Sequence, residues 1–129
     1  MGKIKDEYRQ KLIEYKIEFE EGQHTEERIL AADCIVKSPG IPSTIPLIKK
    51  FLTLRKKVLS EIEFAAPYNT AKTICITGSN GKTTTAMLTH HILKKAGIKV
   101  GLAGNVGFSF AKQVAEENYD WYVIELSSF

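Results

Sequence analysis

A β-branched apolar run, Thr73-Ile74-Cys75-Ile76-Thr77, leads straight into Gly78-Ser79-Asn80-Gly81-Lys82-Thr83 and then into a helix-forming stretch. No other segment restricts the fold as tightly. The run predicts a buried strand. Residues from about Lys82 to Ala96 predict a helix, with Leu88, Ile92 and Ala96 repeating on one face and Gly97 as the stop. The glycines between strand and helix let backbone N–H groups turn toward an anion with no Cβ in the way. The helix start adds unpaired N–H donors and the positive end of its dipole. Phosphate is the anion that suits such a turn. Lys82 is placed to reach β- and γ-phosphates, and the Thr83 hydroxyl to hold Mg²⁺. The general pattern is Gly-x-x-x-x-Gly-Lys-Ser/Thr, and here Ile76 takes its first position, so the match is to a shortened variant. The alternative is an ordinary strand-to-helix turn with a surface lysine, in which Thr84 and Thr85 are only first-turn residues.

The surrounding pattern predicts alternating strands and helices. Val100 to Ala103 reads as a strand, Phe108 to Glu117 as a helix and Trp121 to Leu126 as a strand. That alternation implies βαβ units and a parallel sheet. Earlier in the chain, Tyr8, Leu12 and Tyr15 mark one helix face. Ile17 to Glu20 alternates as a strand. Thr25 caps a short helix, Cys34 to Val36 is a strand broken by Ser38-Pro39-Gly40, and Pro46 opens a helix. Lys57 to Ser60 reads as a strand, Glu61 to Ala66 as a helix and Pro67-Tyr68-Asn69 as a linker. The expected class is α/β, with a division near residue 70. No repeat or low-complexity segment is present.

Composition narrows the function classes. The chain has 129 residues, 43% hydrophobic and 26% charged, which excludes a disordered tail or a fibrous repeat. A compact chain of this length buries roughly two-thirds of its unfolded surface. The net charge of +3 is too small to argue for nucleic acid. No apolar stretch approaches the ~18 residues of a membrane span, and no apolar core follows the basic N-terminus. A cytoplasmic location is expected, without membrane contact. Cys34 and Cys75 lie in apolar runs and are expected to be buried and reduced. The first helix begins with no strand before it, and the last strand ends at Ser127-Ser128-Phe129 with no helix to cover it. Both ends therefore read as cut from a longer enzyme, and the final strand as exposed.

Four segments, taken in order, resemble one family. Thr77-Gly78-Ser79-Asn80-Gly81-Lys82-Thr83 is similar to the ATP loop of the Mur ligases. Ser38-Pro39-Gly40-Ile41, Gly104-Asn105-Val106-Gly107 and Glu125-Leu126-Ser127-Ser128-Phe129 resemble segments of the family's D-glutamate-adding branch. The resemblance implies a truncated Rossmann-like domain over residues 1–70, which holds the UDP part of the substrate. It implies the start of a P-loop-type parallel α/β ATP-binding domain over residues 71–129. The implied activity joins D-glutamate to UDP-N-acetylmuramoyl-L-alanine in peptidoglycan synthesis, using ATP and Mg²⁺ through an acyl phosphate. The full enzyme is expected to be a monomer acting on small molecules, and this segment alone to be inactive.

Roles follow position by position from that resemblance. Gly78, Ser79, Asn80, Gly81, Lys82, Thr83 and Thr84 bind ATP. Lys82 and Glu125 are the catalytic residues, and Thr83 and Glu125 the Mg²⁺ ligands. Glu125 ends a strand, where sites in open α/β sheets gather, and its oxygens suit a hard cation. Ser38, Gly40, Asn105 and Ser127 contact the UDP-sugar substrate. Blander readings stand beside these. Glu125 is an edge residue facing solvent, Asn105 a turn asparagine, and Ser38 and Gly40 a plain Pro-Gly turn. His90 and His91 read as packed or surface residues and His24 as loop surface. Lys49-Lys50 with Arg55-Lys56-Lys57 reads as a solvated face. Two other functions compete: a P-loop phosphotransferase or GTPase, which lacks a guanine-reading motif here, and a free-standing non-catalytic nucleotide-binding module.

Overall fold

The computed structural model describes residues 3–127. By internal contact the chain forms two units, residues up to 35 with 42–58, and residues 36–41 with those from 59 onward. The first unit is helical. It holds α1 (Asp6–Glu14), α2 (Glu26–Ala31) and α3 (Pro46–Thr53). Pro46 sits in the first turn of α3, where its missing N–H costs nothing. That helix buries Ile48 and Phe51. Lys56 Nζ donates to the carbonyls of Leu30 (2.7 Å) and Ala32 (2.8 Å) at the end of α2, and lies 5.6 Å from the Phe51 ring centroid. The strands β1 (Cys34–Val36) and β2 (Lys57–Leu59) pair as a two-stranded sheet.

The second unit is the α/β part. It runs α4 (Glu61–Ala65), a 3-10 turn (Ala66–Tyr68), β3 (Lys72–Ile76), α5 (Lys82–Lys95), β4 (Val100–Gly104), α6 (Phe110–Glu116) and β5 (Trp121–Glu125). Its sheet is parallel, in the order β3-β5-β4. The last strand is thus the central one. Tyr122, Val123 and Ile124 are almost fully buried, as a continuous apolar run in a parallel sheet should be. Burial of Val123 and Ile124 contributes about 1.5–3 kcal/mol each. One face packs Ala65, Ala103, Phe110, Tyr122 and Ile124 together, and the other packs Ala86, Val100 and Val123. Tyr122 meets Phe110 and Tyr119 edge-on, with centroids 5.0 and 5.3 Å away. Burial, and then its neighbours Tyr119 and Glu117, push the Tyr122 phenol above its ordinary pKa.

Several expectations change. The final strand is not exposed, because β5 inserts between β3 and β4 and leaves those two as the edges among the described residues. Cys34 and Cys75 are exposed rather than buried. On β3, Ile74 and Ile76 are partly covered, while Thr73 and Cys75 point to the open face. Ile17 to Glu20 forms no strand. Its acidic residues serve side-chain partners instead. Glu20 accepts from the Thr25 N–H at 2.8 Å, and Arg28 pairs with both Glu18 and Glu20. Thr25 precedes α2 without a side-chain cap. Helix α5 buries Ala86 and leaves Leu88 and Ile92 exposed, so the i+4 repeat marks the outward side. The expected linker at Pro67 is the 3-10 turn, followed by Asn69, whose side chain bonds both the N–H and the carbonyl of Ala71.

Ser60 closes the start of α4 with a reciprocal cap. Its hydroxyl accepts from the Glu63 N–H (3.1 Å), and the Glu63 carboxylate accepts from the Ser60 N–H (2.7 Å). That backbone hydrogen bond, reinforced by the Ser60 side chain, holds the Glu63 carboxyl below its ordinary pKa. A lowered folded pKa makes the contribution complete above the ordinary carboxylate range and lost as pH falls through the folded value. Replacing Ser60 by Ala should therefore cost about 1 kcal/mol at neutral pH in thermal unfolding. The gap to wild type should change little in acid, because alanine keeps the backbone N–H that chiefly lowers the Glu63 pKa.

Candidate functional site

The ends of the three strands of the second unit converge on one region. Gly78 (φ +139°) and Gly81 (φ +73°) take left-handed conformations between β3 and α5, and a Cβ at either would meet nothing within 4 Å. The glycines are needed for conformation, and the loop faces open space. Gly81 is the N-cap of α5 and offers no side chain to it. The first turn closes through Thr85 N–H to the Gly81 carbonyl at 2.9 Å. The Lys82 ammonium folds back over the loop and donates to the Gly78 carbonyl at 2.7 Å. Ser79, Asn80, Thr83 and Thr84 are exposed around it.

Glu125 lies level with Ile76 on β3 and Gly104 on β4. It is 4% exposed, so it is no edge residue facing solvent. Its Oε2 is buried and has no hydrogen-bond partner among the described residues. A buried carboxylate oxygen left so costs more than an ordinary hydrogen bond returns. A hard divalent cation binds carboxylate oxygen and suits this donor. The Glu125 oxygen is of the donor type that a hard cation takes, and the Thr83 hydroxyl is exposed at the helix start.

The third strand end carries a tight loop. Its backbone passes so close to β5 that a Cβ on Gly104 (φ +96°) would sit 2.2 Å from the Glu125 carbonyl oxygen. A Cβ on Gly107 (φ +88°) would sit 2.2 Å from the Leu102 carbonyl oxygen. Between them, the Asn105 N–H donates to the Glu125 carbonyl at 3.0 Å. Its side-chain amide and the Ser127 hydroxyl pair at 3.1 and 3.2 Å. Asn105 is thus more than a tolerant turn residue, because both its backbone and its side chain are tied to the end of β5.

The structure brings the loop of residues 78–84, Glu125, Asn105 and Ser127 to the same ends of adjoining strands. It does not join Ser38 and Gly40 to them by any hydrogen bond among the described residues. Both are exposed in a turn closed by the Ile41 N–H on the Ser38 carbonyl (3.0 Å). Ser128 and Phe129 lie outside the described residues. Of the histidines, His90 is partly buried against the Val100 carbonyl (3.3 Å), and His24 and His91 are exposed. Sequence reasoning missed Gln113, a buried amide inside α6 that bonds the base of the Asn105 loop. Its signal was a polar residue on the apolar face of Phe110 and Val114.

The second unit is thus a parallel α/β unit with a glycine turn at one strand end and a buried acid at the next. Residues 76–129 match the Mur ligase middle domain, and residues 1–45 match the MurD N-terminal domain. The chain belongs to the Mur ligase family. Over 129 residues it is 60% identical to the UDP-N-acetylmuramoylalanine–D-glutamate ligase of Bacteroides fragilis, covering all of this chain and 29% of that protein. It is 57% identical over 128 residues to the enzyme of that name from Porphyromonas gingivalis, covering 99% of this chain and 28% of the relative. The corresponding figures for Exiguobacterium sibiricum are 48% over 122 residues, 93% and 27%. The chain thus spans under a third of the length of these relatives.

The close approach at Gly104 sets a direct test. Gly104→Ala combines a positive φ with a collision against fixed backbone, and should destabilise the second unit by about 3 kcal/mol or more in urea unfolding. A change within about 0.5 kcal/mol, the usual range for a surface substitution, would show that the loop can move off β5 at little cost.

Proposed function

We propose that this chain is the part of an ATP-dependent ligase that binds nucleotide and UDP-sugar substrate, and that the complete enzyme joins D-glutamate to UDP-N-acetylmuramoyl-L-alanine. The observation that carries the reading is the Glu125 oxygen that has no partner among the described residues, buried at the end of the strand paired with β3, whose own end opens into the glycine loop. Similarity over the whole chain to ligases of that name supports the choice of substrates. In this reading residues 1–70 are part of a Rossmann-like domain for the UDP moiety, and residues 71–129 are the first part of a P-loop-type domain for ATP. The enzyme works in the cytoplasm as a monomer. No helix among the described residues is long and apolar enough to cross a membrane.

The chemistry joins two anions, a carboxylate and the γ-phosphate of ATP. Their repulsion must be offset before they meet, so positioning and charge do most of the work. The backbone N–H groups of Gly78, Ser79, Asn80 and Gly81, with the start of α5 at Lys82, Thr83 and Thr84, cradle the phosphates. Lys82 exchanges its bond to the Gly78 carbonyl for phosphate oxygens. Glu125 and the Thr83 hydroxyl hold Mg²⁺, which when bound neutralises charge on the phosphates. Asn105 and Ser127 orient the substrate, with Ser38 and Gly40 at its uridine diphosphate. The substrate carboxylate displaces ADP from the γ-phosphorus to give an acyl phosphate. The amine of D-glutamate then attacks the acyl carbon, and phosphate leaves as the amide forms.

The test is D-glutamate-dependent release of ADP by the complete polypeptide carrying this segment. Lys82→Ala should lower kcat by about a hundredfold or more, the scale for removing one preorganised charge contact. Release of ADP that ignores the UDP-sugar substrate, or a Lys82→Ala variant that keeps full activity, would contradict the proposal.

A further inference from the structure

The loop that carries Asn105 is held at its base by a residue no role has yet been given. Gln113 lies on α6, 6% exposed. Its Nε2 donates to the Leu102 carbonyl at 3.0 Å and to the Phe108 carbonyl at 3.2 Å. Those carbonyls stand on opposite sides of the loop, one entering from β4 and one leaving toward α6. A primary amide has two N–H donors, and here each has an acceptor on a different limb. The Phe108 N–H also donates to the Leu102 carbonyl at 3.1 Å, so that oxygen uses both lone pairs. Gly101 leaves room for the arrangement, because a Cβ there would sit 2.7 Å from Gln113 Oε1 and 2.6 Å from the Tyr122 ring.

We infer that Gln113 is a positioning residue for the UDP-sugar substrate, acting by clamping the base of the loop that presents Asn105. The inference rests on the reading of Asn105 as a substrate contact. A buried polar group with every donor satisfied fixes geometry more than it adds stability. The Gln113 clamp closes the base, and the Asn105 N–H and side chain fasten the tip to Glu125 and Ser127. With the base open, the tip must order itself each time substrate binds. The nucleotide loop lies on another strand and is anchored separately, so its affinity is untouched.

The test uses Gln113→Met, which keeps length and apolar fit and removes both donors. In the complete polypeptide the KM for UDP-N-acetylmuramoyl-L-alanine should rise about tenfold, the scale of one or two lost hydrogen bonds. The KM for ATP and kcat should stay within about twofold. Equal rises in both KM values, or none, would overturn the inference, since a loss of general stability does not separate the two substrates. Amide hydrogen exchange gives a readout independent of activity. Exchange at Asn105 and Phe108, whose N–H groups are hydrogen-bonded, should speed up about tenfold or more in Gln113→Met while β5 is unchanged. Unaltered exchange there would overturn the clamp. In the wild type, the side-chain amide protons of Gln113 should exchange far more slowly than those of exposed Gln10 and Gln23. Equal exchange among the three would refute the clamp even if the methionine variant did not fold. A wild-type polypeptide with no D-glutamate-dependent ADP release would sink the ligase reading alone, and the exchange data would still decide the clamp.

Discussion

The pairing of β5 against β3 is the constraint on which the rest of the second unit depends. Register places Glu125 level with Ile76, two residues short of the glycine turn. An acid on the central strand, beneath a glycine loop on its neighbour, is a placement that no packing requirement favours. Apolar burial of Tyr122, Val123 and Ile124 stabilises the strand, and the carboxylate at its end draws on that stability. The unit tolerates a buried oxygen without a partner among the described residues because the apolar strand below it is secure.

The same strand end disciplines the Asn105 loop. Gly104 and Gly107 allow the backbone to pass over two carbonyl oxygens at distances that a Cβ would forbid. Asn105 then reads the end of β5 through its N–H and its side chain. Glu61 acts in the same manner further along. Its Oε1 accepts from the Ser109 hydroxyl and from the Ala111 N–H, both at 2.6 Å, and so fastens the start of α6 to α4. Glycine loop, acid and Asn105 loop therefore sit on separate strands, each with its own anchor, and all meet at one sheet end.

Much of this was legible in the sequence, for local reasons. The strand, glycine turn and helix from Lys72 to Lys95 follow from β-branched residues, glycine and helix formers acting within a few positions of each other. The alternation that predicts a parallel sheet is local too. The order of strands is not, because nothing in the spacing of Trp121 to Glu125 says that it inserts between β3 and β4. The exposure of Cys75 and the burial of Glu125 both follow from that order, and both were misjudged or left open without it. Leu88 and Ile92 misled because an apolar repeat marks a helix face without saying which neighbour covers it. Ile17 to Glu20 misled because its glutamates answer arginines and backbone N–H groups rather than a partner strand. Gln113 was invisible because its acceptors are carbonyls from another segment, brought near only by the fold.

The most direct measurement is the binding of Mn²⁺, as a spectroscopic substitute for Mg²⁺, by electron paramagnetic resonance in the complete polypeptide with ATP. If Glu125 is the metal's buried oxygen donor, Glu125→Gln should weaken Mn²⁺ binding by about tenfold or more, while ATP without metal binds as in the wild type. Equal Mn²⁺ affinity in the two proteins would show that the buried carboxylate serves some other end, and the account of this site would fail.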